Sequence, residues 1–213
     1  MKKPFVLFAV LAAGALSAHA AGAQVFGQYS GARPIATDTR LFGAYAGFTN
    51  SESELVTQLR LSFYPNVDFG FQGGLSRVSV SDNNRTAVKL GADFKALVAK
   101  CGGALPFDLS LGGSLGVSSA EDFNLLGLGP QLTVSRTFGS SPHARFTAYA
   151  GALLVFTRSD LNNENNTDVS MPLRFGGEFE PNAAVRLVAE LQVATSDQIN
   201  DDLKMSLGAS FPF

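Results

Sequence analysis

From about residue 40 onward, this chain alternates between apolar and polar side chains, and the alternation repeats in ten stretches. They run roughly over 40–48, 54–64, 67–79, 86–98, 107–118, 124–138, 144–157, 169–180, 184–195 and 202–213, each bounded by turn-forming residues. A period of two places successive side chains on opposite faces of a strand. In the stretch 86–98, Val88, Leu90, Ala92 and Phe94 share one face, and Lys89, Gly91, Asp93 and Lys95 the other. In 169–180, Val169, Met171, Leu173, Phe175 and Phe179 oppose Ser170, Arg174, Gly176, Glu178 and Glu180. In 184–195, Val185, Leu187, Ala189, Leu191 and Val193 oppose Arg186, Glu190 and Gln192. The first stretch is ambiguous in phase, and residues 24–30 could add a short strand. Ten strands of this kind predict an all-β chain.

The connections alternate too. YPNVD, CGGALPF, FGSSPHA and EPNAA are tight and carry Pro or Gly, whereas NSESE, SDNNR, SSAED, RSDLNNENNTD and SDQINDD are polar loops. Short turns at one end and polar loops at the other fit an up-and-down antiparallel barrel with an even strand number and both termini on the turn side. Ten strands are expected, with eight as the alternative.

Alternation alone does not say which face looks inward, because a soluble barrel hides its apolar face and a membrane barrel hides its polar one. Charge placement discriminates. With the apolar phase toward lipid, the opposite phase carries Arg60, Asp68, Lys89, Asp93, Lys95, Asp108, Arg145, Arg174, Glu178, Glu180, Arg186, Glu190 and Lys204, seven basic and six acidic groups. The charges left on the apolar phase, Arg77, Lys100 and Arg136, fall near strand ends, where a long side chain reaches the headgroups. A basic residue at the bilayer midplane would cost about 2–4 kcal/mol, and the pattern avoids it. A transmembrane barrel is therefore expected over 39–213, with short periplasmic turns. The rival is a secreted barrel with solvated surface charges.

Ahead of the barrel, Lys2 and Lys3 precede an uncharged stretch from Phe5 to Leu16, and Ala18-His19-Ala20 has the form of a cleavage site. Residues 1–20 are expected to be a secretory signal peptide, too short in its apolar part to span a bilayer. Loss of Lys2 and Lys3 with it takes the formal charge from −2 to −4. Residues 21–38 are then expected to form an N-terminal periplasmic segment. No later stretch is long and apolar enough for a spanning helix.

The chain stops on Phe213, with Phe211, Ala209 and Leu207 on the same face of LKMSLGASFPF. In this pattern it resembles the small OmpA/OmpX-like outer-membrane barrels, whose last strand ends in an aromatic residue. The resemblance implies a Gram-negative-type envelope, contact with outer-membrane lipid and lipopolysaccharide, and insertion by the outer-membrane assembly machinery, with Phe211 and Phe213 as the assembly signal. The chain departs from the best-known members in its strand number and short outer loops.

Candidate chemistry is sparse. A base poised near neutral pH is usually histidine, and the only one beyond the leader, His143, falls in the FGSSPHA turn beside Ser140 and Ser141. Adjacency in a turn is not a triad, so no enzyme is expected. DLNNENNTD offers alternate oxygen ligands of the kind Ca²⁺ takes but lacks the Gly and terminal Glu of an EF-hand loop, and a flexible polar loop is the stronger reading. Cys101 has no metal-ligand partner in sequence. No metal, cofactor or nucleic-acid partner is expected, the last because no basic cluster exists. Eleven of the 18 acidic residues sit in the polar loops, Glu52 and Glu54 among them. Three functions fit: a structural envelope element filled by paired lumen charges, a narrow passive pore with a bias toward cations, or a surface that binds a partner through acidic loops.

Overall fold

The computed structural model of the chain describes residues 27–80, 83–121, 123–139, 144–161, 164–193 and 203–213. Its strand segments are β1 (Arg40–Phe48), β2 (Glu52–Tyr64), β3 (Val67–Val80), β4 (Asn83–Ala99), β5 (Asp108–Ala120), β6 (Phe123–Phe138), β7 (Arg145–Leu153), β8 (Val155–Leu161), β9 (Glu164–Ser170), β10 (Leu173–Asn182), β11 (Val185–Val193) and β12 (Leu203–Pro212). Every pairing between them is antiparallel, and β12 returns to pair with β1. The sheet is thereby closed, which removes free edges.

β7 and β8 are two parts of one stave, both bonded to β6, and β9 and β10 form the next stave against them. The described residues thus close into ten staves in up-and-down order, as the alternation predicts. The stretches expected over 144–157 and 169–180 are broken at Leu154 and at Met171–Pro172, and the reason is local. Proline cannot donate to a ladder, and Pro130 and Pro172 flank the stave on either side. Their carbonyls take up the spare donors: Leu154 N–H donates to Pro130 O at 3.0 Å and Leu153 N–H to Pro172 O at 3.2 Å.

At this break the walls approach closely. A Cβ placed on Gly129 would lie 1.6 Å from the backbone oxygen of Leu154. Backbone cannot swing aside as a side chain can, so Gly129→Ala is expected to destabilise the barrel by about 1–3 kcal/mol. Urea unfolding of the refolded protein in detergent would measure it. Gly73→Ala is the control, since a Cβ there meets nothing nearer than 3.8 Å.

Burial is inverted relative to a soluble domain. Leu55, Phe71, Leu75, Leu90, Phe94, Leu111, Leu128, Phe175, Leu187 and Leu207 are exposed on the outer face, whereas Arg60, Asp68, Lys95, Asp108, Arg174 and Glu190 are buried inside. The phase of β1 is settled as well: Phe42, Ala44 and Phe48 look outward, and Leu41, Gly43, Tyr45 and Gly47 inward. Water would not tolerate so continuous an apolar exterior, and no unsatisfied sheet edge is left to meet hydrocarbon. The fold is that of a transmembrane β-barrel.

Candidate functional site

The lumen holds something the alternation does not encode. Residues 27–38 form no strand, and residues 27–32 are buried inside the barrel before the chain emerges at the turn end and enters β1. The segment expected as an N-terminal periplasmic stretch over 21–38 therefore runs, in its described part, through the lumen, and the extra strand considered over 24–30 does not form over 27–30. The signal peptide at 1–20 lies outside the described residues.

The wall holds this segment from many sides. From β2 and β3, Gln58 Nε2 donates to Gln28 O at 3.3 Å and Gln72 Nε2 to Gly27 O at 3.2 Å. Lys95 on β4 donates to Gly31 O at 2.7 Å and to Ser30 Oγ at 3.0 Å. On β6, Thr133 Oγ1 donates to Gln28 Oε1 at 2.8 Å, and Ser135 Oγ accepts from Ala32 N–H at 3.0 Å. Glu178 on β10 accepts from Gly31 N–H, and Glu190 on β11 accepts from Tyr29 N–H at 3.1 Å. Where the segment leaves, Arg33 Nε meets Asp108 at 2.8 Å and Ile35 N–H donates to Asp68 at 3.0 Å. Backbone groups that the segment would otherwise leave unpaired in a confined space are thus satisfied by charged and amide side chains.

Tyr29 is the centre of this insertion. It is 2% exposed, its ring stacks on Tyr45 with centroids 4.0 Å apart, and its hydroxyl donates to Glu54 at 3.3 Å. Its φ of 54° lies in the left-handed region, which a bulky residue adopts only when its surroundings dictate it. Gly27 is needed for close approach: a Cβ there would fall 2.4 Å from the Tyr29 ring and 2.5 Å from the Glu190 carboxylate.

Around the segment the lumen charges form three clusters. In the first, Arg60 Nη2 contacts Asp68 at 2.5 Å and Asp93 at 2.7 Å, with Lys95 3.8 Å from Asp68. Toward the loop end, Lys89 meets Glu52 at 2.5 Å and Glu54 at 2.8 Å, and Lys204 meets Glu54 at 2.5 Å. Toward the turn end, Arg186 meets Glu178 at 3.0 Å and Glu180 at 2.8 Å, and Arg145 pairs with Glu180. Glu190 instead accepts from Tyr149 Oη and Gln192 Nε2, both at 2.9 Å, and Arg174 donates to Gln131 at 3.2 Å.

Of the residues expected to line the lumen, Arg60, Asp68, Lys89, Asp93, Lys95, Arg174, Glu178, Glu190 and Lys204 are buried. Arg186 is half-buried, and the Arg145 side chain is 54% exposed at the first position of β7, a mouth residue beyond the cover of the wall. Phe211 and Phe213 are exposed on the outer face, and the Phe213 N–H donates to Arg40 O at 3.1 Å. Glu52 and Glu54, read as loop acids, instead belong to β2 and turn inward. Cys101 is a free thiol in the turn region after β4. His143, Ser140 and Ser141 lie outside the described residues, as do Asp82, Asp122, Asp197, Asp201 and Asp202 of the loops. Among the described residues there is no acidic, His or Cys cluster that would hold a metal ion.

Two spaces border the segment. One cavity of about 20 Å³ lies between the segment and the wall near Arg174, and a vestibule of about 370 Å³ opens at the turn end beside Arg33, Arg40, Arg145 and Glu180.

No protein-family model matches the sequence, and no curated protein does. Similar solved structures exist. An outer membrane channel from Pseudomonas putida is 11% identical with a TM-score of 0.47, covering 88% of this chain and 99% of that one. The β domain of the Bordetella autotransporter BrkA is 13% identical with a TM-score of 0.43, covering 82% and 99%. The N-terminal β-barrel domain of Pseudomonas aeruginosa OprF is 8% identical with a TM-score of 0.37, covering 83% and 98%.

Proposed function

We propose that this protein is an integral outer-membrane β-barrel, non-enzymatic, whose lumen is closed by its own N-terminal segment, and that it serves as a structural component of the envelope. The observation that carries this reading is the burial of residues 27–32 inside the barrel, bonded to staves all around it. Arg60 and Tyr29 are both almost wholly shut off from solvent, and side chains alone nearly fill a barrel not much narrower than this. The apolar exterior supports insertion in a bilayer. The alternation and the outward-facing aromatic Phe211 of the last strand favour the outer membrane, reached through the assembly machinery, with lipid and lipopolysaccharide as the immediate surroundings.

A second reading, a narrow passive pore for ions or small solutes, draws on the vestibule of about 370 Å³ at the turn end. Planar-bilayer recording of the refolded mature protein separates the two. Silence from protein shown to be folded and inserted is expected. Reproducible current steps would replace the closed barrel with the pore.

A further inference from the structure

The outer wall is not evenly bulky. In the register of β3 to β6, Ala92 lies between Phe71 and Leu115, and Gly113, one step nearer the turn end, lies between Phe94 and Pro130. Ala92, Gly113 and Pro130 are low points in a wall of large side chains. The result is an open groove of about 660 Å³ on the outside of the barrel, with an almost wholly apolar lining. Asp93 borders it through its backbone, because its carboxylate is turned into the lumen against Arg60.

The groove opens onto the same outward face as Phe71 and Leu90, so hydrocarbon is what meets it, and a dent left empty there would forfeit the dispersion contacts of its lining. Charge placement says which lipid. No Asp or Glu shares the outward phase of β4, β5 or β6, whereas Lys100, just past β4, and Arg136 are both exposed at the turn end. The Arg136 guanidinium lies over the Phe138 ring at 5.5 Å from its centroid, the placement of a cation held at the headgroup level. Depth agrees. From Pro130 to Arg136 is about 20 Å along the strand, or about 15 Å along the membrane normal at a tilt of about 40°. That is half of a hydrocarbon core of about 30 Å. A lipid whose phosphate meets Lys100 and Arg136 therefore lays the far end of its chain at the groove.

We propose that this face binds one anionic phospholipid from the leaflet at the turn end, with an acyl chain seated in the groove over Ala92, Gly113 and Pro130 and the phosphate held by Lys100 and Arg136. Two cations with no outward acid beside them favour a lipid of net negative charge over a zwitterionic one. The site rests on the reading of the barrel as membrane-spanning and is independent of whether its lumen is closed.

The chain contains no Trp, so one introduced indole reports on one place. Phe94→Trp at the groove and Phe175→Trp on β10, both at exposed outward positions, are refolded separately into phosphatidylcholine vesicles. Part of the lipid is then replaced by phosphatidylglycerol or phosphatidylcholine with brominated acyl chains, which quench indole fluorescence on contact. In Phe94→Trp the brominated phosphatidylglycerol is expected to quench well beyond the brominated phosphatidylcholine, and in Phe175→Trp the two should quench equally. Adding Lys100→Gln and Arg136→Gln, at surface positions that leave the fold intact, should weaken the apparent affinity roughly 30-fold, at about fivefold per lost cation. Adding Ala92→Phe, which fills the groove, should remove the excess. Equal quenching by the two lipids in Phe94→Trp, an excess that survives the two glutamines or Ala92→Phe, or the same excess in Phe175→Trp would each overturn the site. Shielding of Phe94→Trp from both lipids would overturn it in favour of a second copy of the chain. No quenching in Phe175→Trp would overturn the membrane-spanning reading beneath it.

Discussion

Deleting residues 21–32 from the mature chain is expected to turn a silent barrel into a conducting one. The wall donors and acceptors that now serve the segment, Gln58, Gln72, Lys95, Thr133, Ser135, Glu178 and Glu190, would pass to water. Each exchange changes stability little, since the net value of a typical hydrogen bond is only about 0.5–1.5 kcal/mol. The barrel should therefore persist, somewhat weakened and wetted throughout. Single-channel recording in a planar bilayer reads the outcome, alongside a heat-modifiability check that the variant is folded. A folded variant that remains silent would place the block in the side-chain clusters rather than in the segment. Tyr29→Ala, which removes the stacking on Tyr45 and the bond to Glu54, should give brief, infrequent openings by the same logic.

The second large effect concerns Arg60. It is fully buried and contacts both Asp68 and Asp93, so Arg60→Met strands two carboxylates, leaving Lys95 and the Ile35 N–H at Asp68 and Gln72 at Asp93. Breaking a buried ion pair from one side typically costs about 3–5 kcal/mol, and a loss of that order is expected in urea unfolding of the refolded barrel. Arg145→Met supplies the contrast. Its ion pair with Glu180 is half in solvent, where such pairs are worth at most about 1 kcal/mol. The triple variant Arg60→Met, Asp68→Asn, Asp93→Asn should recover much of the loss, because what hurts is uncompensated charge rather than lost contact. If Arg60→Met costs no more than Arg145→Met, the cluster is wetter than its burial implies.

Much of this fold is legible in the alternation, because a closed barrel imposes period two on every strand and one face of each must be polar. The phase that carries Lys89, Asp93, Arg174, Glu178 and Glu190 could be read directly, and the structure buries those side chains. The interruptions at Leu154 and at Met171 and Pro172 were signalled only by the prolines, and period two runs through them undisturbed. Glu54 falls both in NSESE and at the start of the stretch 54–64, and its inward role is hidden by the loop reading although it lies in phase with Gln58 and Arg60. Tyr29 and Gln28 could not have been found. GQYSGAR has no period, its conformation is irregular, and its partners are spread across many staves, up to 161 residues away. Pairing between individual lumen charges is equally hidden: a balanced count does not reveal that Arg174 donates to the neutral Gln131 while Arg60 contacts two carboxylates.

Tyr29, Gly31 and Lys95 also bear on how such a barrel finds one strand alignment among many. A soluble domain rejects a shifted strand because the shift drags its apolar core into water. Here a slip of a single residue flips every side chain to the other face, but a slip of two keeps apolar out and polar in, and hydrocarbon would not object. The inserted segment does object. Two residues along the strand, the Lys95 ammonium would no longer reach Ser30 and Gly31, nor Glu178 the Gly31 amide, nor Glu190 that of Tyr29. The six residues 27–32 buried in the lumen thus act as a ruler, proofreading the shear of the barrel from within.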